Sequence, residues 1–361
     1  MLRIDRRLLQ NVDWPLVGTA LAITAVGLLT IGSLSPFRWG SGIAFRQLIW
    51  IVGGLCLLTI VLSIDYRSLV RIAPGLYVVG FALLAWVFVL GRTVSGARRW
   101  IALGPISFQP SELAKLVTIL ALTWAFTWRR ERSRGNLLVA LTLLAPMFVL
   151  IVRQPDLGTA LVLLPMTAAI LLAAGIAARQ FAFLALTAVG ALPLAWFLLK
   201  DYQRERLLVY LDPFRDPLGS AYNVIQAKIA IGSGQLVGKG IEGATQSRLA
   251  FLPERHTDFI FAVFAEEWGF LGCLLLIAGY LFLLLRGYEI ADQARDPIGR
   301  LLALGVTVLL ASQVLVNLGM VTGLLPIVGI PLPFFSYGGS SMVISLMALG
   351  LLLSVRMRQF L

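Results

Sequence analysis

The sequence predicts an all-α, polytopic integral membrane protein with about ten transmembrane helices, one large extracytoplasmic loop and both termini in the cytoplasm. Three observations carry that prediction. The 361 residues are 59% hydrophobic and 13% charged, with a mean hydropathy of +0.88. A water-soluble domain could not cover so much apolar surface. Apolar runs of roughly 16 to 25 residues, long enough to cross ~30 Å of hydrocarbon, recur along the whole chain. The arginines of the short connecting segments are divided unevenly between alternate loops, which sets the orientation.

The runs fall near 14–34, 45–64, 69–90, 111–128, 137–152, 158–175, 181–199, 259–285, 300–324 and 341–355. In lipid their backbone groups must be satisfied internally, so each reads as a helix, with Pro74, Pro146, Pro165 and Pro193 as expected kinks. The first run is as long as a full span and no small-residue cleavage site clearly follows it, so it is expected to stay as a helix. With the N-terminus inside, the segments at 1–13, 65–71, 129–135, 176–180, 286–300 and 356–361 hold fifteen arginines, against six in the short outer segments at 35–46, 91–110 and 153–157. Residues 1–361 thus read as a single membrane domain, with the large loop at about 200–257 outside. Within that loop Ala221–Ile231 could lie as an amphipathic helix on the membrane surface. No internal repeat is evident, which disfavours folds built from inverted repeats. The net charge of +12 is scattered and not gathered in a stripe, which excludes nucleic acid as a partner and suits anionic membrane lipids. The two cysteines, Cys56 and Cys273, lie in apolar runs and read as small buried hydrophobes.

Polar residues at the outer ends of the runs are the candidates for chemistry. Glu112 and Lys115, three apart, can pair on one helical face. They are either a structural staple or an anion-binding lysine oriented by a carboxylate. Arg153-Gln154-Pro155-Asp156 could be a simple turn, yet it is more polar than a turn requires. Trp100 alone would be an interfacial anchor, but Arg98 and Arg99 beside it suit a phosphate-bearing ligand. Asp258 stands where the large loop meets the bilayer. Partial desolvation there would raise its pKa and make it a better base, while the bland reading is a helix N-cap by Thr257 or Asp258. Glu266 and Glu267 read as structural. His256 is the only histidine, which excludes an imidazole pair or a multi-histidine metal site. Gly232-Ser-Gly-Gln-Leu-Val-Gly-Lys-Gly240 lacks the phosphate-loop spacing. Pro331-Leu-Pro-Phe-Phe-Ser-Tyr-Gly-Gly-Ser-Ser341 is irregular backbone that must be buried or line a cavity.

Four of these segments, Gln109-Pro-Ser-Glu-Leu-Ala-Lys115, Gln154-Pro-Asp-Leu-Gly-Thr159, Pro253-Glu-Arg-His-Thr-Asp-Phe-Ile-Phe261 and Pro333-Phe-Phe-Ser-Tyr-Gly-Gly-Ser340, resemble the signatures of the SEDS family (shape, elongation, division and sporulation). The likeness covers nearly the whole chain and leans toward the elongation branch of the family. Arg255 is a mild departure that leaves its motif readable. The resemblance implies a ten-span peptidoglycan glycosyltransferase in the cytoplasmic (inner) membrane. Its active site would face the periplasm or cell exterior, polymerise lipid II with inversion and release undecaprenyl pyrophosphate. A class B penicillin-binding protein would be its crosslinking partner. Asp258 matches the family's essential aspartate and Glu112 with Lys115 its ion pair. Arg98, Trp100, Gln154, Asp156 and Ser336 fall in motifs that line its cavity.

The implied reaction needs one base and a set of cations. Asp258 is the candidate base, and Lys115, Arg98, Arg204 and Arg215 are candidates for the departing pyrophosphate. No side-chain cage for a metal is evident, so Mg²⁺ or Mn²⁺ would ride on the pyrophosphate. Two other classes fit the same outline: a lipid II flippase or transporter, which needs polar groups on both sides of the midplane, and a non-catalytic scaffold for wall enzymes.

Overall fold

The computed structural model describes residues 10–34, 42–94, 97–103, 106–128, 135–198, 201–212, 215–216, 219, 221–249, 251–252 and 254–359. The arginines counted at 3, 6, 7, 38, 129, 130, 132 and 134 lie outside the described residues. The chain begins with α1 (Trp14–Leu34), α2 (Ile43–Ser63), a short α3 (Tyr66–Arg71) and α4 (Ala73–Leu90). A three-stranded antiparallel sheet follows, β1 (Arg92–Val94), β2 (Ala97–Leu103) and β3 (Ile106–Phe108), in the order β1-β2-β3. Next come α5 (Pro110–Trp128), α6 (Gly135–Arg153), α7 (Leu157–Ala173) and α8 (Ala178–Leu198). The large loop is itself helical, with α9 (Asp201–Leu211), α10 (Tyr222–Ser233), α11 (Gly240–Gly243) and α12 (Thr245–Arg248). Three long helices end the chain: α13 (Ile260–Asp292), α14 (Pro297–Thr322) and α15 (Gly339–Met357).

Among the described residues six helices, α1, α2, α4, α13, α14 and α15, are long and apolar enough to cross a membrane. The other four expected runs are helical too, as α5 to α8. The expected span at 69–90 is divided. Asp65 caps α3 by accepting from the Arg67 amide, and α4 restarts with Pro74 in its first turn. Pro74 therefore opens a helix and does not kink one, because the first turn has no use for its missing N–H.

The centre of the bundle is α15, with 83% of its apolar stretch buried, and α14, with 67%. By contrast α4 is 22% buried and α13 28%, and their outward faces carry Val78, Val89, Leu90, Leu275 and Leu281 in the open. Exposed apolar faces of that extent are what lipid covers. α15 packs most extensively on α2, and α14 on α13 and α7.

The loop helix expected at Ala221–Ile231 exists as α10, but its small face, Ala227 and Ala230, is buried against α13 and α14. Its partner is protein and not the membrane surface alone. The glycine-rich segment after it is built into a break in α13. Gly269 holds φ 65° and ψ −166°, a conformation essentially reserved for glycine. The amides of Phe270 and Leu271 donate to the carbonyls of Gln235 (2.8 Å) and Leu236 (3.1 Å), and the Lys239 amide donates to Glu266 O at 2.9 Å. Glycine is required where the strands of this clip meet, since a Cβ on Gly238 would lie 2.2 Å from Glu267 O. The clip thus supplies backbone partners that the interrupted helix lost.

Candidate active site

Asp258 lies two residues before α13, in a run of turns from Glu254. The cap position of α13 is Phe259, and no side chain caps it. The N-cap reading of Thr257 or Asp258 is therefore overturned; Thr257 Oγ1 turns back to Glu254 instead, 3.1 Å from Oε2. Three successive carbonyls of this turn are each held from elsewhere. His256 O accepts from the Tyr337 amide at 2.9 Å, Thr257 O from Ser336 Oγ at 2.7 Å and Asp258 O from Asn317 Nδ2 at 3.0 Å. Ser336 Oγ also accepts from the Leu332 amide at 2.8 Å, so its role is to knit the 332–337 turn to the Asp258 turn. That turn rests in its place on α2, where Gln47 donates to Ser336 O (3.1 Å) and accepts from the Gly338 amide (3.2 Å).

The backbone around Asp258 is thus pinned while its carboxylate is left open. Among the described residues no hydrogen bond or ion pair engages its oxygens. Burial pushes the carboxyl up to about 7, the Glu254 carboxylate adds to the rise, Arg99 and Arg206 oppose it, and Asp156 adds a smaller rise. His256 is shifted the other way, lowered by burial and by neighbouring Arg255. Gly329, at φ 70°, brings backbone against the carboxylate; a Cβ there would lie 3.1 Å from Asp258 Oδ2.

Asp156 reaches the same region through Gly158, whose absent Cβ would lie 2.6 Å from Val328 O. It caps α7 by accepting from the Thr159 amide (3.2 Å). It also accepts from Gln109 Nε2 (3.0 Å) and Ser111 Oγ (2.9 Å), tying the starts of α5 and α7 together. Gln154 is buried and donates to Leu84 O on α4 at 2.8 Å, so its amide holds helices. Glu112 and Lys115 are both buried and paired at 2.8 Å, a placement that suits the staple reading. Glu266 accepts from the Gln246 and Ser247 amides at 3.0 and 2.9 Å, and Glu267 from Ser33, as their structural reading expects.

The arginines are sorted by structure that the sequence did not reveal. Pairing with β1 shifts by one residue within β2, with Arg98 opposite Thr93 and Trp100 opposite Arg92, so the bulge at Arg99 puts Arg98, which is exposed, and Trp100 on opposite faces. Arg99 NH1 lies 3.9 Å from Asp156 Oδ1 and its guanidinium acts on Asp258. Arg204 spends its guanidinium on Trp196 O and Phe197 O at the end of α8, and Arg215 is exposed on a turn. The loop arginine in the field of Asp258 is Arg206, which donates to Ile327 O at 3.3 Å. Arg206, Gly329 and Asn317 are the site residues that sequence reasoning missed, while Arg99 was singled out only together with Arg98. Among the described residues no group of three or more His, Cys, Asp or Glu side chains could hold a metal ion.

Residues 14–360 match the FtsW/RodA/SpoVE family of cell cycle proteins. The chain belongs to that family. This SEDS chain is 42% identical over 348 residues to the peptidoglycan glycosyltransferase MrdB of Escherichia coli (strain K12), covering 96% of this chain and 93% of MrdB. It is 36% identical over 369 residues to the probable peptidoglycan glycosyltransferase FtsW of Geobacter metallireducens, covering 99% and 97%. Among solved structures it resembles a chain of a peptidoglycan synthase complex that coordinates polymerization and crosslinking, with TM-score 0.83, 38% identity and coverage of 97% and 98%. It also resembles the rod shape determining protein RodA of Thermus thermophilus, with TM-score 0.75, 34% identity and coverage of 97% and 98%. An alanine-for-aspartate mutant of that RodA matches with TM-score 0.74.

Proposed function

We propose that this chain is a peptidoglycan glycosyltransferase that polymerises lipid II on the outer face of the cytoplasmic membrane, with Asp258 as general base. The observation that carries the reading is the Asp258 carboxylate itself: without a hydrogen-bond or ion-pair partner among the described residues, held on a pinned turn and pushed up by burial to about 7. A base poised near the working pH is the most effective one. An acceptor sugar hydroxyl attacks the anomeric carbon of a lipid-linked donor. Its proton passes to Asp258, the bond from that carbon to the pyrophosphate oxygen breaks, and the electron pair leaves with undecaprenyl pyrophosphate. One base and a single displacement invert the anomeric centre. Arg99 and Arg206, which act on Asp258, supply positive charge for the departing pyrophosphate, and guanidinium groups match its geometry.

A divalent cation, Mg²⁺ or Mn²⁺, would find most of its ligands on the donor pyrophosphate. Asp156 has its oxygens committed to Gln109, Ser111 and the Thr159 amide, so it is not placed to hold such a cation. The names of the relatives support the activity, and the synthase complex in which a similar chain was solved supports a crosslinking penicillin-binding protein of class B as partner. The higher identity to MrdB than to FtsW favours cell elongation.

The test is conversion of lipid II to glycan strands by the purified full chain with its partner, resolved on a gel. Wild type is expected to give long strands and Asp258→Ala none, with Asp258→Ala still bound to the partner. Equal polymerisation by that variant would remove Asp258 from the chemistry.

A further inference from the structure

We infer that Asn317 is the positioning residue of the Asp258 carboxylate, an inference that rests on the base reading above. Asn317 lies on α14 and is fully buried. Its Nδ2 donates to two carbonyls at once, Asp258 O at 3.0 Å and Ile330 O at 2.6 Å. The amide has no alternative orientation, because turning it over would set its oxygen against two carbonyl oxygens.

These two bonds join different pieces of the site. One holds the residue that bears the carboxylate. The other holds the segment just after Gly329, whose backbone faces Asp258 Oδ2 closely enough that a Cβ would lie 3.1 Å away. Asn317 therefore sets the spacing between the carboxylate and the wall beside it. The other ties of the turn, from Tyr337 and Ser336, reach His256 O and Thr257 O, one or two residues before Asp258.

Asn317 Oδ1 is buried and has no hydrogen-bond partner among the described residues, so the amide is engaged through its two N–H donors alone. Gly329 fits the same purpose, since its φ of 70° and its missing side chain keep the carboxylate uncrowded.

The experiment uses the full chain with its crosslinking partner and follows initial polymerisation rates against lipid II concentration from pH 6 to 9, with melting temperatures alongside. Asn317→Ala is expected to lower the maximal rate by between about tenfold and about 100-fold, as small misplacements of a reacting group do. Half-saturating lipid II should stay within about twofold, and the pH midpoint should move. Gly329→Ala, which leaves Asn317 intact, should move the midpoint upward by crowding the carboxylate. Asn317→Asp keeps the side-chain volume but can donate only while protonated, so its rate should fall with rising pH where the wild type's rises. Wild-type maximal rates and pH midpoints in all three variants overturn the inference. So does a loss that follows only the fraction of folded protein, with an unmoved midpoint. Asp258→Asn separates the two levels: an active Asp258→Asn removes the base reading, whereas an inactive one beside unaltered Asn317 variants removes only the positioning role.

Discussion

At the scale of single residues the raised carboxyl of Asp258 has consequences of opposite sign for rate and for stability. A base must be unprotonated, so polymerisation is expected to climb through about pH 7. Removing an opposing cation by Arg206→Ala should move that midpoint up, and removing a like charge by Glu254→Gln should move it down; rate against pH measures both. For folding, the carboxyl sits above its ordinary value of 3.8, so the folded chain keeps a proton that the unfolded chain has lost. That contribution favours folding below about pH 4 and is lost as pH rises through about 7. Asp258→Asn should therefore melt above wild type at pH 8 and together with it near pH 4. The Glu112–Lys115 pair gives a second expectation. Either partner changed alone leaves a buried charge, which costs about 3 to 5 kcal/mol, while Glu112→Leu with Lys115→Met should recover the melting temperature. Of these residues, Asp258 was singled out because a carboxylate at a bilayer edge demands a reason, and its role as base came only with the resemblance to the SEDS motifs. Asn317 was not, since an amide inside an apolar run reads as any satisfied helix residue until its two acceptors, at 258 and 330, are known.

At the scale of elements, hydropathy located the long helices well, because lipid imposes length and apolarity on each one separately. It failed on the segment at 92–108, where strands of three, seven and three residues are short and polar enough to read as loop. Without the strand and its bulge, nothing separated Arg98 from Arg99. It failed also on the clip at Gly269. A glycine inside an apolar run looks like a tolerated helix residue, and only the partner segment 235–239 shows that the helix is broken there. The clip makes a clear expectation. Gly269→Ala must force a side chain into backbone essentially reserved for glycine, at roughly 1 to 3 kcal/mol, and must also push aside Gly238 N, which would lie 2.2 Å from the new atom. It should abolish the monodisperse peak of the detergent-solubilised protein in size-exclusion chromatography. Gly232→Ala, with nothing within 4 Å, should leave the peak intact and raise the helicity of α10 slightly.

For the whole molecule, arginine counting predicts an orientation, and ion pairs gather at one end of the bundle: Asp13 with Arg286, and Arg67 with Asp296. That end is the proposed cytoplasmic face, opposite Asp258. In a background of Cys56→Ser and Cys273→Ser, Glu242→Cys should react with a membrane-impermeant thiol reagent in intact cells, and Asp292→Cys only after permeabilisation. The reverse pattern would invert the topology. The pinned turn also carries a consequence in time. Ser336, which holds Thr257 O, follows it by 79 residues, roughly 4 to 16 seconds of synthesis at ordinary elongation rates. During that interval the base exists and its supports do not. A chain released before residue 336 is made would keep most of its membrane helices yet lack the ties to 336 and 337, so the activity is gained in one late step and not accumulated span by span.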